Sequence, residues 1–216
     1  MILDAFEPPV ELRPEPAVLL PDRGTLVVAD VHLGKSAAFR ARGLAVPEGD
    51  TRRDLERLTT LIEATGARRL VVAGDLFHSP AGLTPEVLTR VEDWLRSTAL
   101  PVTLVLGNHD RRLTRFPDRL ETVARVDLGG LQVVHDPVDA DAGRATLCGH
   151  LHPVVRVADG KRTSLRLPCF HLSRRHLVLP AFGSFTGGSI VDPERGDRIF
   201  VAPADTVVEV PPGLWG

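Results

Sequence analysis

The sequence predicts an α/β fold, a sandwich of two sheets packed face to face with helices outside (αββα), formed by one domain over residues 1–216. Three observations carry that expectation. Strand-like and helix-like segments alternate through the first half of the chain. The second half is a series of short apolar runs cut by turn residues, with no long helical stretch. Five apolar runs end in histidine, aspartate or asparagine, as expected where ligands gather beyond the carboxyl ends of strands in an open α/β sheet.

Taken in order, Val18–Leu20 and Thr25–Ala29 read as a strand pair around the turn Pro21-Asp22-Arg23-Gly24. Asp50–Thr65 places Leu55, Leu58, Leu61 and Ile62 at helical spacing, with Asp50 or Thr51 able to cap it and Gly66 where it should stop. Arg68–Ala73 is a short apolar strand. Thr84–Ser97 is a second helix, capped by Thr84, with Pro85 in the first turn where its missing N–H costs nothing. Val102–Leu106 closes a βαβαβ half. Val123–Leu128, Leu131–His135, Ala145–Cys148, Val154–Val157, Ser164–Leu172, His176–Leu179, Arg198–Val201 and Thr206–Val210 read as the strands of the other sheet.

Composition narrows the function classes. With 43% hydrophobic and 25% charged residues the chain is ordinary globular material, which excludes a disordered tail, a collagen-like chain and a coiled coil. A length of 216 residues is close to one domain at about 150 residues each. The longest stretch without a charge, Leu177–Val191, is broken by Pro180, Gly183, Gly187 and Gly188, so no transmembrane helix and no membrane partner are expected. The charges and prolines of MILDAFEPPVELRPEP speak against a secretory signal, and a cytoplasmic location follows as the expectation. Two cysteines, Cys148 and Cys169, are too few for a disulfide framework and are expected as buried, reduced thiols. A net charge of −2 argues against tight non-specific polyanion binding but leaves nucleic acid open, because bound cations change the local field.

The histidines carry the chemistry. Six of the eight, His32, His78, His109, His135, His150 and His152, lie just beyond apolar runs: LVVA before Asp30 and His32, LVVAG before Asp75 and His78, TLVLG before Asn108 and His109, LQVV before His135, and TLCG before His150 and His152. Imidazole and carboxylate together suit Mn, Fe or Zn. With no cysteine obviously joining the set, a structural zinc site is not expected. The two-residue spacings of Asp30 and His32, and of His150 and His152, put both members on one side of an extended chain. Asp75 is a carboxylate able to bridge two cations, and Asn108 supplies a neutral carbonyl oxygen. A bridged pair of cations about 3.5–4 Å apart is a common apparatus for hydrolysing phosphate esters.

The order D-x-H, G-D-x-x-H, G-N-H-D, H and G-H-x-H resembles the calcineurin-like metallophosphoesterase superfamily. It stands here as Asp30-Val31-His32, Gly74-Asp75-Leu76-Phe77-His78, Gly107-Asn108-His109-Asp110, His135 and Gly149-His150-Leu151-His152, across about 120 of the 216 residues. The segments VADVHLGK, GDLFHSP and LVLPAFGSFTGG are also similar to bacterial ligase-associated DNA-damage-response endonucleases of that superfamily. The resemblance implies two divalent metal ions, with manganese first and iron or zinc as alternatives. Asp30, His32, Asp75 and His152 would hold one, and Asp75, Asn108, His135 and His150 the other. A hydroxide between them would attack phosphorus in line. His109 would protonate or stabilise the leaving oxygen, and Asp110 would orient His109. His78 stands where many relatives carry aspartate or asparagine and is read as substrate-facing or beside the ligands.

The resemblance implies a DNA phosphodiesterase, an endonuclease in repair, with a DNA ligase, helicase or exonuclease as partner and a homodimer as its assembly. The alternative keeps the chemistry and changes the substrate to cyclic nucleotides or nucleotide conjugates. An inactive scaffold is disfavoured because every ligand position and His109 are filled. Arg111, Arg112 and Arg115 follow the GNHD block, where phosphate contact and a solvated loop are equally good readings. Arg40, Arg42, Arg52 and Arg53 read as solvated or ion-paired. His171, Arg174, Arg175 and His176 read as a hairpin turn, and Phe182–Gly188 as a tight turn near the site rather than a nucleotide cradle, since it lacks a P-loop lysine.

Overall fold

A computed structural model describes residues 1–158 and 164–215. The first half forms a seven-stranded sheet whose strand order follows chain order: β1 (Ile2–Leu3), β2 (Val10–Leu12), β3 (Ala17–Leu20), β4 (Thr25–Val28), β5 (Arg69–Val72), β6 (Val102–Val105) and β7 (Leu120–Val123). Strands β1 to β4 pair antiparallel and β4 to β7 pair parallel. Parallel neighbours need crossovers. Helices α1 (Lys35–Ala41) and α2 (Asp50–Thr65) cross from β4 to β5, and α3 (Pro85–Ser97) from β5 to β6.

The second half forms a mixed nine-stranded sheet from β8 (Val126–Asp127), β9 (Leu131–Val133), β10 (Ala145–Cys148), β11 (Pro153–Ala158), β12 (Ser164–Ser173), β13 (His176–Val178), β14 (Ser189–Ile190), β15 (Arg198–Val201) and β16 (Val208–Val210). Its order is β14-β11-β12-β13-β10-β9-β8, with β15 also pairing β12 and β16 pairing β15.

Period-two alternation explains the layering. On β4, β5 and β6, Leu26, Val28, Leu70, Val72 and Leu104 face the helices and meet Leu55, Leu58 and Trp94. Their alternating neighbours Val27, Val71 and Val105 face the second sheet and meet Leu131, Leu147, Phe170 and Phe200. The central strands are apolar on both faces because both are covered. The two-sheet sandwich is therefore the expected one, but its helix layer is one-sided. Among the described residues the second sheet's outer face carries no α-helix; Val155, Cys169, Ile199 and Val201 cluster there with Trp215. Both cysteines are buried and unpaired, and burial pushes the Cys169 thiol up to about 12. No helix among the described residues is long and apolar enough to cross a membrane.

Several local expectations need correction. Gly49, in a left-handed conformation, occupies the cap of α2, and neither Asp50 nor Thr51 caps the helix. Asp50 instead accepts from the Ser36 amide at 3.0 Å, and Thr51 Oγ1 accepts from the Gly34 amide at 2.9 Å, so both bind α1 to α2. Gly66 ends the helix as expected, and Thr84 caps α3 through the Val87 amide. The single run Val123–Leu128 divides: Leu120–Val123 completes the first sheet beside β6, and Val126–Asp127 begins the second. Strands β1, β2 and β14 and helix α1 have no counterpart in the sequence reading. They span two to seven residues, too few for a period to show.

Leu58 is fully buried between α2 and the sheet. Leu58→Ala should cost about 2–5 kcal/mol of unfolding free energy, measured by urea denaturation of the metal-free protein. A loss below about 1 kcal/mol would contradict the packing described.

Candidate metal centre

Strands β4, β5 and β6 run parallel in one sheet, and β9 and β10 run parallel in the other. The segments that follow their carboxyl ends meet at one edge of the sandwich. They deliver Asp30 and His32, Asp75 and His78, Asn108 and His109, His135, and His150 and His152. Asp30, His32, Asp75, His150 and His152 all have positive φ, between 45° and 70°, and they are five of the seven such non-glycine residues among those described. Left-handed backbone at a non-glycine residue costs about 1–3 kcal/mol and persists only where its surroundings over-determine it. Here the strand pairing continues through the turns: Asp30 N–H donates to Gly74 O at 3.0 Å, His32 N–H to Asp75 O at 2.9 Å, and Gly149 N–H to His135 O at 3.0 Å. The two-residue spacing thus works through two left-handed residues and not through an extended chain.

The motif glycines owe their place to close approach. A Cβ on Gly74 would lie 2.0 Å from His135 Nδ1, one on Gly107 2.1 Å from Asp75 Oδ1, and one on Gly149 2.5 Å from Asp30 Oδ2. Each glycine therefore makes room for a candidate ligand of another turn. Gly107 does so without needing positive φ, so its role is space and not merely turn geometry.

Two clusters adjoin Asp75, and beside them one ligand atom each of His32, His78 and His109 also lie within 4.8 Å of one another. In the first, one ligand atom each of Asp30, His32 and His152 lie within 4.8 Å of one another. His152 Nε2 is 3.2 Å from Asp30 Oδ1 and 3.4 Å from His32 Nε2. His152 Nδ1 is satisfied by Gly187 O at 3.2 Å, which leaves the Nε2 lone pair facing inward. Asp30 Oδ2 accepts from the His150 amide at 2.9 Å, while Oδ1 has no hydrogen-bond partner. Burial, together with His152, Lys35, His109 and His78, lowers the pKa of His32 to about 2 and so keeps its imidazole neutral. His152 is shifted upward, because the effect of burial is outweighed by the Asp30 carboxylate 3.2 Å away and by the Gly187 carbonyl.

In the second cluster His135 Nε2 lies 3.0 Å from Asn108 Oδ1, 3.1 Å from His150 Nδ1 and 3.5 Å from Asp75 Oδ2. His135 Nδ1 donates to Ala73 O at 3.1 Å, which again aims the Nε2 lone pair at the cluster. Asp75 Oδ1 accepts from the His109 amide at 2.9 Å. The Asp75 carboxyl is pushed upward by burial. Because Asp75 also groups with Asp30 and His135 within 4.8 Å, it stands between the two clusters. Converging lone pairs and half-satisfied buried carboxylates are costly unless a cation lies among them, and the carboxylate, imidazole and amide-oxygen donors fit a divalent transition metal.

Asp110 does not orient His109. It is fully buried, and its carboxylate accepts from the amides of Phe77 at 3.0 Å and Gly107 at 3.1 Å, bracing two ligand turns against each other. Burial raises its pKa to about 6. The His109 ring is held instead through Nδ1 by the His78 backbone carbonyl, with Nε2 turned toward Asp75 Oδ2 at 3.9 Å. The His78 ring stacks on His109 with centroids 5.1 Å apart, and burial foremost lowers its pKa to about 4.

Elsewhere, Arg111 pairs with Asp139 at 3.6 Å, Arg40 with Glu48 at 2.9 Å and Arg52 with Glu56 at 3.0 Å. His171 pairs with Asp197 at 2.7 Å, and Arg174 lies in the β12–β13 turn.

Several groups escaped the sequence reading. Asp136 lies 3.4 Å from His150 Nε2. Lys35, one of only two lysines in the chain, sits near His32, His78 and His152. Asp54 is a buried acid on the apolar stripe of α2, the one signal that could have found it. Both its oxygens accept from Ser184 N, and Arg57 bridges it at 2.8 Å to Phe182 O at 2.7 Å. This strap holds the Phe182–Gly188 turn, whose Gly187 carbonyl in turn holds His152.

Residues 25–175 match the family model described as calcineurin-like phosphoesterase. The chain is similar to the crystal structure of Pseudomonas putida nuclease MPE, at 35% sequence identity and a TM-score of 0.76 over 90% of this chain and 92% of that one. It is also similar to Yfce, a phosphoesterase from E. coli, at 18% identity and a TM-score of 0.42 over 86% of this chain and 97% of that one. No curated protein sequence matches the chain. The protein belongs to the calcineurin-like phosphoesterase family and is a hydrolase of phosphoester bonds.

Proposed function

We propose that the protein is a dinuclear, manganese-dependent phosphodiesterase that cuts DNA. The observation that carries this reading is the pair of donor clusters meeting at Asp75 beside His109. Asp30, His32 and His152 would hold one cation, Asn108, His135 and His150 the other, and Asp75 would serve both. Bound divalent cations supply a water of lowered pKa and withdraw charge from the phosphoryl oxygens.

The chain's own residues do the rest. His135 and His152 are fixed by carbonyls at Nδ1 and present Nε2. His109 is fixed in the same way by His78 O, so Nε2 is the atom from which a proton can pass to a leaving oxygen. Asp75 is held in register by the amide of His109 itself, which couples the position of the acid to that of the shared ligand. Likeness to a nuclease at 35% identity supports nucleic acid as substrate. The resemblance to ligase-associated endonucleases extends the reading to repair, beside a DNA ligase, a helicase or an exonuclease.

Manganese-loaded protein should nick circular single-stranded DNA and cleave bis-p-nitrophenyl phosphate, and both activities should vanish in EDTA and in Asp75→Ala. An intact circle beside a cleaved small diester would sink the DNA reading in favour of cyclic nucleotides or nucleotide conjugates. Silence on both substrates with metal bound would overturn catalysis itself.

His109→Ala should lower kcat by about 10²–10⁴-fold, the usual worth of a positioned acid. Manganese affinity, read by calorimetry, should stay near native, because His109 lends no atom to the two clusters that adjoin Asp75. Loss of metal along with rate would make His109 a ligand.

Metal uptake should also release protons. The raised pKa of His152 means that its imidazole keeps a proton to higher pH in the metal-free protein, and the cation must displace it. His32, shifted down, is already neutral and releases none. Manganese affinity should therefore rise with pH and level off once His152 is neutral. Titrations at pH 6.5 in buffers of different ionisation enthalpy should show net proton release that shrinks as the pH is raised. A pH-independent affinity would contradict the assignment.

A further inference from the structure

We propose that Phe185 and Phe39 form a stacking wall for an unpaired nucleobase of the phosphodiester substrate, an inference that rests on the phosphodiesterase reading above. The rings form a continuous run into the metal centre. Phe185 stands edge-on to Phe39 with centroids 5.7 Å apart, Phe39 stands edge-on to His78 at 5.8 Å, and His78 stacks on His109 at 5.1 Å. The outer end of the run is open: Phe185 is 40% exposed, a large apolar ring held in water beside the site.

That ring is preorganised. Its neighbour Ser184 is bound through its amide to both oxygens of the buried Asp54 carboxylate. Phe182, three residues earlier, carries the Arg57 guanidinium 4.3 Å over its ring. On the other side Gly187 O holds His152, and Thr186 N–H closes the turn on Gly183 O. A phenylalanine fixed between two such anchors presents its ring without paying loop-ordering entropy on binding.

The charges around the wall suit a polyanionic strand. Lys35, Arg42 and Arg112 all place positive potential at His78, next to the inner end of the run. Cations that track a backbone beside aromatic rings that take bases are the general means by which single strands are bound without sequence preference. A base in a duplex is already stacked on its neighbours and has no free face to offer this wall. A diester with no base makes no use of it.

Two substrates with the same leaving group separate these cases: thymidine 5′-(p-nitrophenyl phosphate), which carries one base, and methyl p-nitrophenyl phosphate, which carries none. In manganese-loaded Phe185→Ala the ratio of kcat/KM for the thymidine ester to that for the methyl ester should fall about tenfold, mainly through KM, as expected for one lost stack. Phe185→Trp should restore the ratio. An unchanged ratio would overturn the proposal, whether both rates fall together or neither moves.

Binding supplies the readout that does not depend on turnover. A single-stranded oligonucleotide containing 2-aminopurine, titrated with metal-free protein in EDTA, should show quenching that is weakened about tenfold in Kd by Phe185→Ala, with a fully paired duplex giving none. Equal binding by native and variant protein, or absence of quenching by the native protein, would overturn the wall as a site for a strand even if cleavage is intact. A base effect on the thymidine ester without one on the oligonucleotide would place the base on a small nucleotide diester and not on a strand. Native protein inactive on both esters but quenching 2-aminopurine through Phe185 would instead defeat the phosphodiesterase reading and leave the wall standing.

Discussion

The centre depends on strand pairing that does not stop where the strands stop. Beyond β4 and β5 the amides of Asp30 and His32 still reach Gly74 and Asp75 carbonyls, although both residues have left-handed backbone. Five such residues at about 1–3 kcal/mol each are a large local cost set against a typical domain stability of about 5–15 kcal/mol. The ladder and the close glycines hold them there. A relaxed backbone at these positions would point the carboxylates and imidazoles away from one another. The strain turns the donors at the ends of β4, β5 and β10 inward, where they meet Asn108 and His135 from the ends of β6 and β9.

Saturation with donors sorts the buried acids by role. Asp110 receives two backbone amides, and Asp54 receives the Ser184 amide and the Arg57 guanidinium. Both are braces whose lone pairs are largely spent. Asp30 and Asp75 each accept one backbone amide and leave the other oxygen facing imidazole nitrogens. An uncompensated buried carboxylate oxygen is expensive, and only the second pair carries that cost. The same contrast separates Asp110 from the orienting role that its place next to His109 implies: proximity in sequence put it in the motif, but its lone pairs serve the turns.

The gathering of the candidate donors is legible because each directly follows an apolar run, so local pattern and global position coincide. The parallel register of β4, β5 and β6 then brings Asp30, Asp75 and Asn108 to one edge. Illegible features depend on partners remote in the chain. Asp54 finds Ser184 across 130 residues, and nothing near Asp54 marks it except its place on an apolar stripe. Asp50 and Thr51 look like caps by local rules, yet α1 packs against the start of α2 and claims both oxygens. The run Val123–Leu128 reads as continuous because the feature that divides it, membership of two different sheets, is a tertiary one.

The division of labour along the chain also follows from this geometry. All the candidate ligands, with His109 and Asp110, lie inside residues 25–175, the part that matches the family as a whole. The Phe182–Gly188 turn lies outside it. That turn supplies no ligand, yet it fixes His152 through Gly187 O, receives the Asp54–Arg57 strap and presents Phe185. General phosphoester chemistry therefore resides in the shared part. The turn beyond it holds one candidate ligand and shapes the approach to the site, and a segment that contributes no candidate ligand can vary in shape without dismantling the cage. Selectivity for what surrounds the phosphorus is best placed in such a segment, because there it can change while the donors that act on the phosphorus stay in position.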